Sequence, residues 1–259
     1  MPTPPLHRSP RTAVVWDVLQ DILAQRAGGT SAQTSGAQTS GAALDVVDVG
    51  GGTGGFAVPL AGLGHTVTVV DPSPDALASL QRRAGESGVS VRAVQGDAAG
   101  LLDVIDPDSV DLVLCHGVLE HVDAAQLAPA VVALVAVLRS GGTLSLLVPS
   151  RNAVVLARAV AGRFAEARHA LDDPDGRWGA ADPLPRRFTE PGLLSLLAEA
   201  GLQVEQVHGV RTVADLVPGA LVDAEPGAAD DLVALEAATA HLPEFRAVAT
   251  QLHVRARRA

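Results

Sequence analysis

Residues 48–55 read DVGGGTGG and fall between an apolar, β-branched run, LDVVDV, and the start of a helical run. Glycines placed there let the chain turn tightly and bring backbone N–H groups close to a bound nucleotide, and the helix N-terminus that follows offers free N–H groups of its own. Asp71 ends the next apolar run, HTVTVV, where a carboxylate suits ribose hydroxyls. Gly96-Asp97 follows a third short strand, and Cys115-His116 closes a fourth. The glycine spacing leaves two cofactor chemistries open. Gly50, Gly52 and Gly55 fit the GxGxxG of dinucleotide binding, while Gly50, Gly52 and Gly54 fit a GxGxG loop.

The elements that must position these residues alternate. Ser9-Pro10 opens a helix to about Arg26, and residues 27–43, with the near-repeat AQTSG, read as a flexible linker. Strands are expected at 44–49, 65–70, 89–94, 110–115, 143–148, 202–210 and 246–254, with helices at 56–63, 73–86, 124–138, 153–164 and 189–200 and a helical stretch within 213–242. Short apolar strands separated by helices predict a doubly wound α/β domain with a mostly parallel seven-stranded sheet buried on both faces. The domains expected are therefore an N-terminal helix, 1–26, covering the cofactor site, and a body, 44–259. The polar, proline-containing stretch within 151–187 reads as an inserted helical and loop lid.

Composition removes other classes. The chain has 259 residues, 47% hydrophobic and 19% charged, enough to fill a core and incompatible with disorder throughout. All 19 basic residues are arginine, against 29 acidic ones, for a formal charge of −10. That charge is uneven: −8 over residues 41–150 and −5 over 188–259, against +1 over 1–40 and +2 over 151–187. A single cysteine, Cys115, rules out an internal disulfide and reads as a core residue of the fourth strand. Glu120, His121 and Asp123 begin a helix and are not read as a metal site. No apolar run reaches the ~18 residues of a membrane span and the N-terminus MPTPPLHRSP has no signal-peptide core, so a cytoplasmic protein without a membrane partner is expected.

The downstream elements narrow the cofactor. Gly50-x-Gly52-x-Gly54, Gly96-Asp97 after strand three, Cys115-His116 at the end of strand four and Arg139-Ser140-Gly141-Gly142 before strand five together resemble the class I S-adenosylmethionine-dependent methyltransferases, a Rossmann-like family. Further matches are more specific. Arg11, Ala13, Trp16 and Leu19, the block HGVLEHV at 116–122, VAGRF at 160–164 and Gly209-Val210-Arg211 with Asp215 resemble the tRNA 5-carboxymethoxyuridine methyltransferase family, from about residue 11 to 257 apart from the linker.

The resemblance implies S-adenosylmethionine as cofactor, held by Arg11, Gly50, Gly51, Gly52, Gly54, Asp71, Gly96, Asp97 and His116, and a wobble-uridine carboxylate in tRNA as methyl acceptor. Arg11 would pair with the methionine carboxylate, Asp71 with the ribose and Asp97 with the adenine side. Arg211 would grip the substrate carboxylate, or else pair structurally with Asp215 one turn on. Two departures bear on the substrate side: Pro149-Ser150 replace the family's Tyr-Asn pair, and the loop 171–187, LDDPDGRWGAADPLPRR, is much less basic. A small-molecule acceptor and a non-catalytic cofactor-binding protein are the alternatives. A carboxylate is already ionised at neutral pH, so methyl transfer to it needs positioning and no general base.

Overall fold

The computed structural model describes residues 9–28 and 42–259. Along the chain run α1 (Ala13–Gly28), β1 (Asp45–Val49), α2 (Ala57–Gly62), β2 (Thr66–Asp71), α3 (Pro74–Glu86), β3 (Arg92–Gln95), β4 (Val110–His116), α4 (Leu127–Val137), β5 (Leu138–Pro149), α5 (Arg151–Val160), α6 (Phe164–Asp172), α7 (Glu190–Glu199), β6 (Leu202–Val210), α8 (Gly219–Ala224), α9 (Ala228–Thr239), α10 (Pro243–Arg246) and β7 (Gln251–Arg258). The strands form one sheet in the order β3-β2-β1-β4-β5-β7-β6. The first five are parallel and β7 is antiparallel to both its neighbours. This is the doubly wound, mostly parallel seven-stranded sheet that the sequence predicts.

Two apolar layers hold it, one on each face. Val14, Val15, Val18, Leu19 and Ile22 of α1 pack with Leu60 and Leu80 onto Val46, Val67, Leu112, Leu114 and Leu147. On the other face Val131, Leu134 and Val137 of α4 and Leu193 and Leu197 of α7 cover Val47, Val113, Leu144, Leu146 and Val254. Strands buried on both faces need apolar residues at nearly every position, which is why β1 and β4 show no polar alternation. Asp48, in the middle of that run, is the exception and is 2% exposed.

Several boundaries differ from expectation. β7 occupies 251–258, not 246–254: Pro243 opens a helical turn, α10, that takes the apolar AVA stretch out of the sheet. The helix expected over 153–164 is two. Gly162 at φ +74 ends the first with the left-handed residue that terminates helices, and α6 starts at Phe164, the last residue of the expected helix, and runs to Asp172 through what the sequence presents as a loop. β3 begins at Arg92 rather than 89, and β5 extends back through Gly141-Gly142 to Leu138, with a register irregularity between Val110 and Leu112 on β4. Of the expected linker 27–43, residues 29–41 lie outside the described residues.

The inserted segment is pinched at its base. Ser150 and Phe188 form a parallel bridge, with Arg151 N donating to Phe188 O at 2.9 Å and Phe188 N to Pro149 O at 2.9 Å. Between these ends lie α5, α6 and a loop tied internally by Arg187 to Asp182 at 2.6 Å and Arg186 to Asp175 at 2.9 Å.

Candidate functional site

The C-terminal ends of β1, β2 and β4 meet where the glycine loop leaves the sheet. Gly50 N donates to Val70 O at 2.7 Å, which ties the loop to β2. A Cβ at Gly50 would lie 2.3 Å from Val118 Cγ2, and the residue sits at φ +70, so this turn admits glycine and little else. The hydrogen bonds of Asp71 lock the loop to the end of β2. Its Oδ2 accepts from Gly52 N at 2.9 Å and its Oδ1 from Ser73 N at 2.9 Å. Two backbone donors leave part of the carboxylate's accepting capacity over, so the residue can hold the loop and still meet hydroxyls.

A cleft of about 360 Å³ opens beside it, lined by Val49, Gly50, Pro72, Asp97, Val118 and His121 among others. It brings Gly50 and Asp97 together, with the residue after Asp71 on its wall. Asp97 Oδ1 also accepts from Ala99 N at 3.0 Å and Gly100 N at 2.8 Å, a local turn that fixes its carboxylate. A larger cavity of about 490 Å³ lies at Asp45, Thr66 and Arg92, the opposite ends of the same strands, far from every residue singled out in the sequence. In open α/β sheets ligands sit at the carboxyl ends of the strands, so position selects the smaller cleft.

His116 stands across from Gly50, since Val49 pairs in register with Cys115. Its ring meets Phe56, the residue after the loop, at a centroid distance of 4.9 Å, and Phe56 meets Trp16 of α1 at 4.9 Å. The N-terminal helix is thereby tied to the glycine loop. Burial pushes the His116 imidazole down to about 4, so the ring is neutral at pH 7. Arg11 lies in the exposed turn that leads into α1 and does not line the cleft. Arg211 is paired: its Nη2 lies 2.7 Å from Asp215 Oδ2 and its Nε donates to Asp215 Oδ1 at 3.1 Å. Arg211 also takes φ +60, a conformation an arginine adopts only when the surroundings enforce it.

Four residues of this region go unmarked by the sequence reading. Asp48 lies beneath Gly51, whose Cβ would come 2.6 Å from its carboxylate, and its Oδ2 is buried without a partner. Burial first, and then the charge of Asp71, push Asp48 up to about 7. Glu236 of α9, fully buried, accepts from Thr212 N at 3.0 Å, Val213 N at 2.7 Å and Ala214 N at 2.7 Å, and so builds the turn that carries Arg211. Ser145 and His253 continue inward from His116. A carboxylate inside an apolar strand is a signal the sequence does carry for Asp48; the other three are brought in by tertiary pairing. Among the described residues, no group of three or more His, Cys, Asp or Glu side chains is placed to hold a metal.

A nucleotide cofactor with a positively charged amino-acid end fits this arrangement. The loop leaves backbone room at Gly50, Asp71 keeps accepting capacity beside it, and the Asp48 oxygen under the loop has no partner within the protein. Comparison with known proteins agrees. Residues 46–142 match the family described as a methyltransferase domain. In overall fold the chain is similar to an S-adenosylmethionine-dependent methyltransferase from Mesorhizobium loti, with a TM-score of 0.60, 19% identity and coverage of 98% of this chain and 100% of that one. It is likewise similar to magnesium protoporphyrin IX methyltransferase from Synechocystis, solved with bound SAH (TM-score 0.58, 14% identity, 96% and 86% covered). The chain belongs to the class I S-adenosylmethionine-dependent methyltransferases, and S-adenosylmethionine is its cofactor.

Within that class it resembles tRNA 5-carboxymethoxyuridine methyltransferase from Escherichia coli O157:H7, at 32% identity over 210 residues, 79% of this chain and 72% of that protein. It is also 32% identical over 166 residues to ubiquinone biosynthesis O-methyltransferase from Burkholderia pseudomallei, 64% of this chain and 67% of that one. No helix among the described residues is long and apolar enough to cross a membrane.

Proposed function

We propose that this methyltransferase esterifies a carboxylate, and that its acceptor is a small carboxylic acid rather than an extended nucleic acid. The observation that carries this reading is the pairing of arginines in the inserted segment. Arg158 and Arg163 both bond Glu166 at 3.1 Å, Arg186 bonds Asp175 and Arg187 bonds Asp182, while Arg151 donates to the carbonyls of Ala170 and Leu171. Arg158 also lies 3.9 Å over the Trp178 ring, so the only aromatic of that loop is stacked on a cation and withdrawn from bases. Affinity for nucleic acid rests on arginines free to displace counterions from phosphates, and here most of them are engaged within the segment itself.

Bound S-adenosylmethionine supplies a methyl group on a positively charged sulfur. The chain's own contribution is placement. Gly50 to Gly54 and Asp71 support the nucleoside end, His116 borders the amino-acid end, Arg11, which lies outside the cleft, would have to swing in to pair with its carboxylate, and Asp97 closes the adenine side. The segment 151–187 acts as the lid over the acceptor. Arg211, oriented by Asp215, would hold one carboxylate oxygen while the other stays free to react. Such alignment removes much of the entropic barrier, and an aligned carboxylate needs no base.

A second reading, methylation of wobble 5-carboxymethoxyuridine in tRNA, is supported by the 32% identity extending over 79% of the chain, well beyond the shared domain at 46–142. Incubating the protein with methyl-labelled cofactor and, separately, total tRNA and a small-molecule extract tests both. Label confined to base-labile esters in the small-molecule fraction is expected. Label in tRNA selects the second reading, and label in an alkali-stable product refutes carboxylate esterification.

A further inference from the structure

A row of imidazoles crosses the sheet behind the cofactor side. Register places His116 of β4 beside Leu147 of β5, Leu147 beside His253 of β7, and His253 beside His208 of β6. Two residues back from Leu147, on the same face of β5, stands Ser145. Its Oγ lies 2.9 Å from His116 Nε2 and 2.8 Å from His253 Nε2. The Nδ1 atoms of His116, His253 and His208 are all buried without a hydrogen-bond partner.

A hydroxyl has one proton to give, so the two contacts to Ser145 constrain each other. If both Nε2 atoms carried protons, the serine proton would have no acceptor. One ring must therefore donate to Oγ and the other accept from it. Were His116 the donor, the proton of neutral His253 would sit on its Nδ1, an N–H sealed inside the sheet in a residue with no exposed surface. A buried N–H left without an acceptor bears the full cost of its desolvation. In the opposite arrangement His253 Nε2–H donates to Ser145, Ser145 donates to His116 Nε2, and the leftover N–H is Nδ1–H of His116, also without a partner in the protein but on a residue that is only partly buried, at the end of β4 across from Gly50. Burial keeps both rings neutral, His116 pushed to about 4 and His253 held well below the ordinary histidine value, with His116 and His208 as additional neighbours that oppose its charging.

We propose that Ser145 and His253 are positioning residues that hold His116 in the Nδ1–H tautomer, presenting a donor to the carboxylate at the amino-acid end of the cofactor. The proposal rests on the reading above that His116 borders that end. It explains why a polar hydroxyl and an imidazole occupy fully buried positions on two central strands otherwise lined by Leu144, Leu146, Leu252 and Val254.

The test is two-bond 1H–15N correlation spectroscopy on the full chain labelled at histidine nitrogen, with His116 and His253 assigned by the loss of their signals in His116→Gln and His253→Gln. The ligand-free wild type is expected to show Nδ1–H for His116 and Nε2–H for His253. In Ser145→Ala the His116 signals should move to the other tautomer or to an average. Calorimetry with S-adenosylhomocysteine should then weaken several-fold, up to about tenfold if the competent tautomer falls to a tenth of the population. A wild-type His116 with its proton on Nε2, or a Ser145→Ala protein whose His116 spectrum and affinity match wild type, overturns the relay and leaves the site intact. S-adenosylhomocysteine that binds with measurable heat yet leaves the wild-type His116 signals unmoved overturns the placement of His116 at the cofactor instead, and the proposal with it.

Discussion

Replacing Asp48 by Asn should make the protein's stability less sensitive to pH. Burial, followed by the charge of Asp71, raises the Asp48 carboxyl from 3.8 to about 7. The folded state therefore keeps a proton that the unfolded chain has released across that whole window, and stability falls as pH rises through it by up to ~1.4 kcal/mol per unit. At ~1.36 kcal/mol per pKa unit, the ionised carboxylate costs the folded protein about 4 kcal/mol once the pH exceeds both values. Asn carries no charge at any pH, so the stability of the variant minus that of wild type should increase by about that amount between roughly pH 4 and pH 8. An offset independent of pH is expected as well. The new NH2 group would occupy the place of an oxygen without partners, at ~1–3 kcal/mol for a buried unsatisfied donor, and wild type is then the more stable form in acid. Urea unfolding followed by circular dichroism at a series of pH values measures the difference. At ~2–4 °C per kcal/mol for a chain of this size, melting temperatures should diverge by roughly 10 °C across the series. A gap between the two proteins that stays constant with pH refutes the reasoning.

Further outcomes follow from the same geometry. Gly50→Ala combines a left-handed backbone with a contact of 2.3 Å to Val118 and should lower stability by ~2–4 kcal/mol together with cofactor affinity; differential scanning fluorimetry with and without S-adenosylhomocysteine reads both, and an unchanged melting temperature contradicts it. Arg187→Ala strands the Asp182 carboxylate, whose side chain is fully buried; burial pushes that group up, and the bonds from Arg187, Trp178 N and Leu184 N outweigh it and hold it low. Losing the guanidinium should cost ~3–5 kcal/mol locally, seen as faster proteolysis within 173–188. Cys115 is buried in β4 with its thiol pushed up by burial, then by Glu120 and Asp48, so iodoacetamide at about pH 8 should label it only after unfolding; rapid labelling of native protein refutes its burial.

The cofactor side of the fold was legible because its signals are local. A glycine loop between a strand and a helix and an aspartate at the next strand end are set by neighbouring residues, and the structure places them as a group. The far half of the sheet was harder for a physical reason. In β7, Leu252, Val254 and Ala256 face one apolar layer, while His253 and Arg255 are buried on the other face through Ser145, Glu205 and Gln25. A strand whose second face is buried by polar pairing shows alternation like that of an exposed strand, and the apolar AVA stretch before it drew the expected boundary forward. Helix α6 was hidden likewise: Phe164 opens it 71% exposed and only Ala167 and Ala170 are buried. Glu236 reaches its three amides from 22 to 24 residues away, beyond any local pattern.

The place of β7 between β5 and β6 has a mechanical meaning. β6 touches the rest of the sheet only through β7, and their antiparallel pairing runs from Leu202 with Arg258 to Val210 with Gln251. Residues 202–249, with the Arg211 turn among them, join the sheet's hydrogen-bonded ladder through this one strand, while Arg246 to Glu190 and Asn152 to Ala247 tie them to α7 and α5, and Val210 and Ala240 pack with Leu147. Pulling β7 out would open two ladders at once, one to β5 and one to β6. Hydrogen exchange in β7 should accordingly rank with the slowest in the molecule, and insertions meant to alter the acceptor belong in the segment pinched at Ser150 and Phe188, which meets the sheet through its own closed base.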